Sequence, residues 1–247
     1  MNRYRVNCAY DGTDFQGWQS QPNGHGVQDS IEASLESILE VFTRIHACSR
    51  TDSGVHARGQ VFHFDASWVH SELALQRAIS SKLPNNIQLL DLTLVSNKFH
   101  ARFSALQKTY CYYIQRFPVS PFKQRWVWAI PENLDKNKMT LAAGLFQGTY
   151  DFTAFSANNG NTAKENPVKT ISRITVVRLD ESCLKITITG SGFLYKMVRS
   201  IVGVLVDIGR SRMNMENVPL WLEAGRRSPQ LLIAPAKGLF LEKIDYK

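Results

Sequence analysis

Apolar and polar positions alternate over residues 3–10, which predicts a strand, and the Gly/Gln/Asn-rich residues 11–26 that follow read as a loop. From Val27 the apolar residues recur at Ile31, Leu35, Ile38, Leu39 and Phe42, the spacing of a helix with one buried face. Short strands are predicted over 44–48 and 58–64, with Val61 alternating against Gln60 and Phe62. Ser71 is placed to cap a helix that runs through Leu83, with Pro84 just beyond its end. Residues 87–95 close this half as a strand. The order is β-α-β-β-α-β, the ferredoxin-like split unit also used by RRM-like domains.

The order then recurs. A tyrosine-rich strand is expected over 106–117 and a helix over 138–146, followed by an irregular Asn/Gly/Lys stretch at 156–169. Strands over 170–179 and 182–189 are joined by a tight Asp180-Glu181 turn. Residues 194–208 form a strongly apolar helix and 216–224 a shorter one, and the chain ends on a strand over 239–245. The expected class is therefore α+β: two ferredoxin-like halves with antiparallel sheets, residues 1–103 and 104–247, flanking a central cleft suited to a long ligand. The repeat is architectural and carries no residue-by-residue self-similarity.

The chain has 247 residues, of which 44% are apolar, enough for one large domain or two of roughly 120 residues each. No apolar run approaches the roughly 18 residues of a membrane span, and the longest candidate is interrupted by Lys196, Arg199 and Asp207. Residues 1–4 lead straight into a strand without a signal-peptide core, so a cytoplasmic protein with no membrane partner is expected. Cys8, Cys48, Cys111 and Cys183 are widely and unevenly spaced, which argues against a disulfide scaffold or a zinc site and for buried thiols on strands. The net charge of +8 fits a polyanionic partner, since neutralising phosphates releases condensed counterions, and it also fits a basic protein that binds no nucleic acid.

Four segments could carry chemistry. Residues 49–57, Ser-Arg-Thr-Asp-Ser-Gly-Val-His-Ala, lie between two predicted strands. Asp-Ser-Gly is ordinary turn chemistry, but Arg50, Thr51, His56 and Arg58 crowd the same loop around Asp52, and a loop between rigid strands is a good platform for a reactive carboxylate. In residues 107–114, strand alternation puts Tyr110, Tyr112 and Ile114 on one face. That face is either a half-buried sheet surface or a stacking platform for a base, with Lys108 near phosphate. On the helix over 194–208, Lys196, Arg199 and Gly203 lie opposite the apolar face. This is a solvated basic stripe, or, if the helix is buried, an arginine in need of a partner, for which a carboxylate is best suited. Residues 234–241 read by themselves as a turn entering an edge strand.

In order along nearly the whole chain, these segments resemble the TruA family of tRNA pseudouridine synthases. The resemblance rests on Tyr10-Asp11-Gly12-Thr13, Gly17-Trp18-Gln19, Val27-Gln28, Arg50-Thr51-Asp52 with Gly54-Val55-His56-Ala57, and His100-Ala101-Arg102-Phe103-Ser104-Ala105. It continues through Lys108-Thr109-Tyr110, Asp151-Phe152, Met197-Val198-Arg199 with Ile201-Val202-Gly203, and Gly238-Leu239. It implies an isomerase that converts uridine to pseudouridine at positions 38, 39 and 40 in the anticodon arm of tRNA. Asp52 matches the catalytic nucleophile, Arg50 an RNA-contacting residue, Tyr110 the tyrosine that stacks on the target base, Arg199 the arginine paired with the aspartate, and Leu239 an apolar pocket residue. It further implies a homodimer that uses no metal, nucleotide or other cofactor. Ser49 and Ser53 depart from the family, which commonly shows glycine and alanine there; Ser49 is tolerated if its φ is negative.

The reaction suits these residue types. The glycosidic bond breaks, the ring turns, and C5 rejoins the ribose without redox change or group donor. A carboxylate attacks C1′ or assists departure of the base, and a cationic neighbour favours its ionised form. Two rivals come from other classes. A non-catalytic RNA-binding protein built on RRM-like units needs aromatics and cations but no Asp–Arg pair. A zinc nucleobase deaminase needs a Pro-Cys-x-x-Cys ligand pair, which the sequence lacks.

Overall fold

A computed structural model of the chain describes residues 1–22, 24–157 and 166–247. Its class is α+β, divided into two compact units: residues 1–106 with 240–247, and residues 107–239.

The first unit contains β1 (Asn2–Tyr10), α1 (Val27–Leu39), β2 (His46–Ala47), β3 (His56–Ala66), α2 (Glu72–Ser80) and β4 (Ile87–Val95), the predicted order. β1 lies between β4 and β3, antiparallel to both. The far edge of β3 is shared. Two-residue β2 pairs with it at Phe62 and His63, and the last strand of the chain pairs parallel to it at His56 and Ala57. α1 starts where Asp29 accepts from the Gly26 N–H (2.8 Å) and the Gln21 N–H (3.2 Å). It ends at Glu40, which takes a left-handed conformation, so Phe42 falls outside the helix and is exposed. Ser71 caps α2 as expected, but the helix stops at Ser80, short of Leu83. The alternation predicted at Gln60, Val61 and Phe62 is absent, because β3 is covered on both faces. Phe62 packs against Trp18 and near Phe64 on one face. Val61 joins a small cluster with Cys48 and Ala101 on the other, closed by Phe99, Ile244 and Tyr246.

The second unit contains β5 (Ala105–Arg116, from Gln107 onward), β6 (Trp128–Ile130), α3 (Lys136–Gly144), β7 (Gly148–Asp151), β8 (Val168–Arg178), β9 (Cys183–Gly190), α4 (Met197–Gly209) and α5 (Asn217–Ala224). β9 lies between β5 and β8, antiparallel to both, β7 extends the sheet beyond β8, and β6 pairs parallel to β5. α3 packs on α4 and on β8. The β8–β9 turn is closed by Asp180, whose carboxylate accepts from the Ser182 and Cys183 N–H groups at 2.8 Å each. β6 and β7 are additions to the predicted pattern; at three and four residues they are too short for a period to register. Residues 158–165 of the stretch expected to be irregular lie outside the described residues. The last strand, β10 (Leu239–Tyr246), departs from the division into residues 1–103 and 104–247: from Phe240 onward it belongs to the first unit. The reason is its pairing with β3, reinforced by Phe240 stacked on His56 (4.6 Å) and under Arg58 (4.6 Å).

All four cysteines are buried and none is in a disulfide; Cys8, Cys111 and Cys183 are on strands and Cys48 lies just past β2. No helix among the described residues is long and apolar enough to cross a membrane.

Candidate active site

In the first unit, Asp52 occupies a turn that its neighbours fix at several points. The Val55 N–H donates to the Asp52 carbonyl (3.1 Å), with Gly54 at a φ of 74° that favours glycine. The Trp18 N–H donates to the Thr51 carbonyl (3.1 Å), and the Thr51 hydroxyl pairs with the Tyr10 hydroxyl (2.8 Å). Gly17, at φ 91°, lies so close that a Cβ there would stand 2.6 Å from the Thr51 carbonyl oxygen. At the start of the turn, the Gln60 side chain bonds both backbone groups of Ser49, donating to its carbonyl (2.7 Å) and accepting from its N–H (3.3 Å). At its end, buried His56 places Nδ1 3.0 Å from the Asp11 carboxylate and 3.1 Å from the Gly12 nitrogen. The Tyr10-Asp11-Gly12 and Gly17-Trp18 motifs therefore form the floor under Asp52. Asp52 itself is half-buried and Arg50 is exposed. Neither Ser49 nor Ser53 is in the left-handed region, so the departures from glycine and alanine leave the backbone unstrained.

In the second unit, Tyr110 lies on β5 opposite Ile188 and packs edge-on against Phe193, with ring centroids 5.2 Å apart. It is only 8% exposed, so a ring expected to stack on a base is already mostly covered by protein. Arg199 lies on α4, and of the two readings of that side of the helix the covered one fits, with Arg199 and Lys196 half-buried. Lys196 precedes the helix in a left-handed conformation, and Gly203 is buried. A strap of residues 231–239 covers this side. A Cβ on Gly203 would run into the Leu232 carbonyl. Arg199 Nε donates to the Ala234 carbonyl (2.7 Å), and the Ala234 N–H returns a bond to the Arg199 carbonyl (3.1 Å). The Tyr112 hydroxyl donates to the Pro235 carbonyl (2.7 Å). Burial holds the Tyr112 phenol well above its ordinary value, against a smaller opposing pull from the Arg199 cation, so it stays protonated as a donor. Gly238 lies against the Tyr112 ring and leads directly to Leu239, which is buried. The structure thus brings Arg199 and the strap that ends in Leu239 into one hydrogen-bonded arrangement.

The tRNA pseudouridine synthase family matches residues 8–104 and 142–247. The chain belongs to this family. Arg50, Asp52, Arg199 and Leu239 fall inside the matched segments and Tyr110 between them. The chain is 38% identical to "tRNA pseudouridine synthase A" of Thermodesulfovibrio yellowstonii over all of both chains. It is equally 38% identical to "tRNA pseudouridine synthase A 1" of Protochlamydia amoebophila, over all of this chain and 97% of that one. Among solved structures it resembles a chain from a Cbf5-Nop10-Gar1 complex, with a TM-score of 0.40 and 9% identity over 82% of this chain and 45% of that one.

Sequence reasoning missed one member of the strap arrangement. Arg227 donates to the Ser156 carbonyl (3.3 Å), the Ser200 hydroxyl (3.0 Å) and the Leu231 carbonyl (3.0 Å), tying the head of the strap to the residue that follows Arg199. It lies in a loop without periodicity, beside an equally basic Arg226, so only its tertiary contacts distinguish it.

Proposed function

We propose that the protein isomerises uridine to pseudouridine at positions 38, 39 and 40 in the anticodon arm of tRNA, with Asp52 as nucleophile. The observation that carries this reading is the turn at Asp52. It holds a half-buried carboxylate on a backbone clamped by Trp18, Gln60 and Tyr10, inside a segment matched by the family. In the reaction the N1–C1′ bond breaks and a C5–C1′ bond forms; the hydrogen on C5 leaves and N1 gains a proton. The carboxylate of Asp52 attacks C1′ or assists departure of the base. Arg199 is its proposed cationic partner, with its guanidinium plane set by the bond to Ala234. Tyr110 stacks on the extruded base and replaces stacking lost from the RNA, Arg50 contacts the RNA, and Leu239 lines the base pocket. Both halves are read as ferredoxin-like units; in the first, the antiparallel order β4-β1-β3 with β2 on the far edge of β3 supports this. The proposed partners are tRNA and a second copy of the chain.

The test uses unmodified tRNA with tritium at uridine C5. The wild type should release label to water. Asp52→Asn should bind tRNA and release essentially none, because a neutral amide cannot act as the nucleophile. Asp52→Asn turning over at the wild-type rate overturns the assignment. Binding by both proteins with release by neither supports a non-catalytic RNA-binding protein instead.

A further inference from the structure

Residues 117–126, in the connection from β5 to β6, present an unusual surface. Phe122 is 85% exposed, Phe117 53% and Trp126 40%. Arg116, Lys123 and Arg125 are exposed among them. Over residues 107–131 the chain carries Lys108, Arg116, Lys123 and Arg125 and no acidic residue. Asp180, whose carboxylate interacts with Lys123, already accepts from the Ser182 and Cys183 backbone groups and the Ser182 hydroxyl.

The loop is also held in place. The Phe117 N–H donates to the Ile130 carbonyl (2.9 Å), the Lys123 N–H to the Ser120 carbonyl (2.9 Å) and the Trp126 N–H to the Lys123 carbonyl (3.0 Å). Val119 and Val127 are buried at its two ends. An aromatic ring held out in water on an ordered turn costs solvation without packing gain, and interleaving it with cations is the pattern of a single-stranded nucleic-acid surface.

We propose that residues 117–126 form an RNA-contacting site, in which Phe122 stacks on an unpaired base of the tRNA and Lys123 meets a neighbouring phosphate. This rests on the reading that tRNA is the substrate, and it extends the RNA contact beyond the proposed catalytic residues. A second copy of the chain fits this surface less well. A two-fold contact through the loop would bring the same cations of both copies together, whereas a polyanion neutralises them.

The experiment compares full-length wild type, Phe122→Ala, Phe122→Trp and Lys123→Ala on unmodified tRNA. It measures dissociation constants at several salt concentrations, kcat and KM for tritium release, and sedimentation. Phe122→Ala should raise Kd and KM roughly tenfold with kcat unchanged, and Phe122→Trp should restore both, since indole also stacks. Lys123→Ala should reduce the slope of log Kd against log salt by about 1. Unchanged Kd in Phe122→Ala overturns the inference, as does failure of Phe122→Trp to restore it. A smaller sedimenting species with unchanged tRNA affinity makes the loop a protein interface and overturns it too. Wild-type protein that binds tRNA without releasing tritium defeats the catalytic reading alone, and the Kd comparison still decides the loop.

Discussion

At the scale of single residues, Ser49 and His63 make the clearest predictions. The Ser49 hydroxyl is buried beside the Asp52 turn and has no hydrogen-bond partner among the described residues, while the backbone of Ser49 is held by Gln60. Ser49→Ala removes an unsatisfied polar atom and keeps both backbone bonds, so stability should rise by about 1 kcal/mol with activity unchanged. Denaturant unfolding of the two proteins checks this. His63 Nδ1 accepts from the Ala101 N–H (3.2 Å) within a cluster that includes His46 and His100. Burial, then the cations of His100, Arg3 and His46, push His63 down to about 4, against a weaker pull from Asp65. Its folded value lies below the ordinary 6.5, so the unfolded chain takes the proton more readily. Stability is therefore full above about pH 6.5 and falls as pH drops from there toward 4. His63→Gln should flatten that part of the stability profile measured by urea unfolding at stepped pH.

At the scale of elements, the strap over α4 is the feature with consequences. Three of its carbonyls, at Leu231, Ala234 and Pro235, are each taken by a side chain, from Arg227, Arg199 and Tyr112. A helix whose polar side receives a backbone segment needs a gap in its side-chain cover, and Gly203 provides it. Gly203→Ala favours α4 by propensity yet forces the strap away from the helix. Helix content by circular dichroism should persist while tritium release falls about a hundredfold, the cost expected for a displacement of roughly 1 Å at a catalytic group. Wild-type turnover by Gly203→Ala would show that strap position does not matter to the reaction.

At the scale of the whole molecule, the net charge of +8 and the exposed Arg50, Lys123 and Arg125 predict that tRNA binding is dominated by phosphate contacts. Log Kd should rise steeply and linearly with log salt, and a flat plot excludes this. Periodicity and chemistry along the chain were enough to determine the order of the major elements, the α+β class and the family, since strands, helix caps and turns respond to neighbours a few residues away. β6 and β7 were not legible, because three or four residues carry no measurable period. Asp52 could be singled out as a candidate because Arg50, Thr51, Gly54 and His56 are its chain neighbours; the clamps from Tyr10, Trp18 and Gln60 come from distant segments. Arg199 was singled out as a cation in need of a partner, with a carboxylate proposed; that its Nε goes to the carbonyl of Ala234, 35 residues away, was not legible. The membership of β10 in the first unit and the role of Arg227 were likewise decided only by tertiary structure. Both depend on which distant backbone groups are left unpaired once the helices and sheets have formed, and no local pattern in the chain records that.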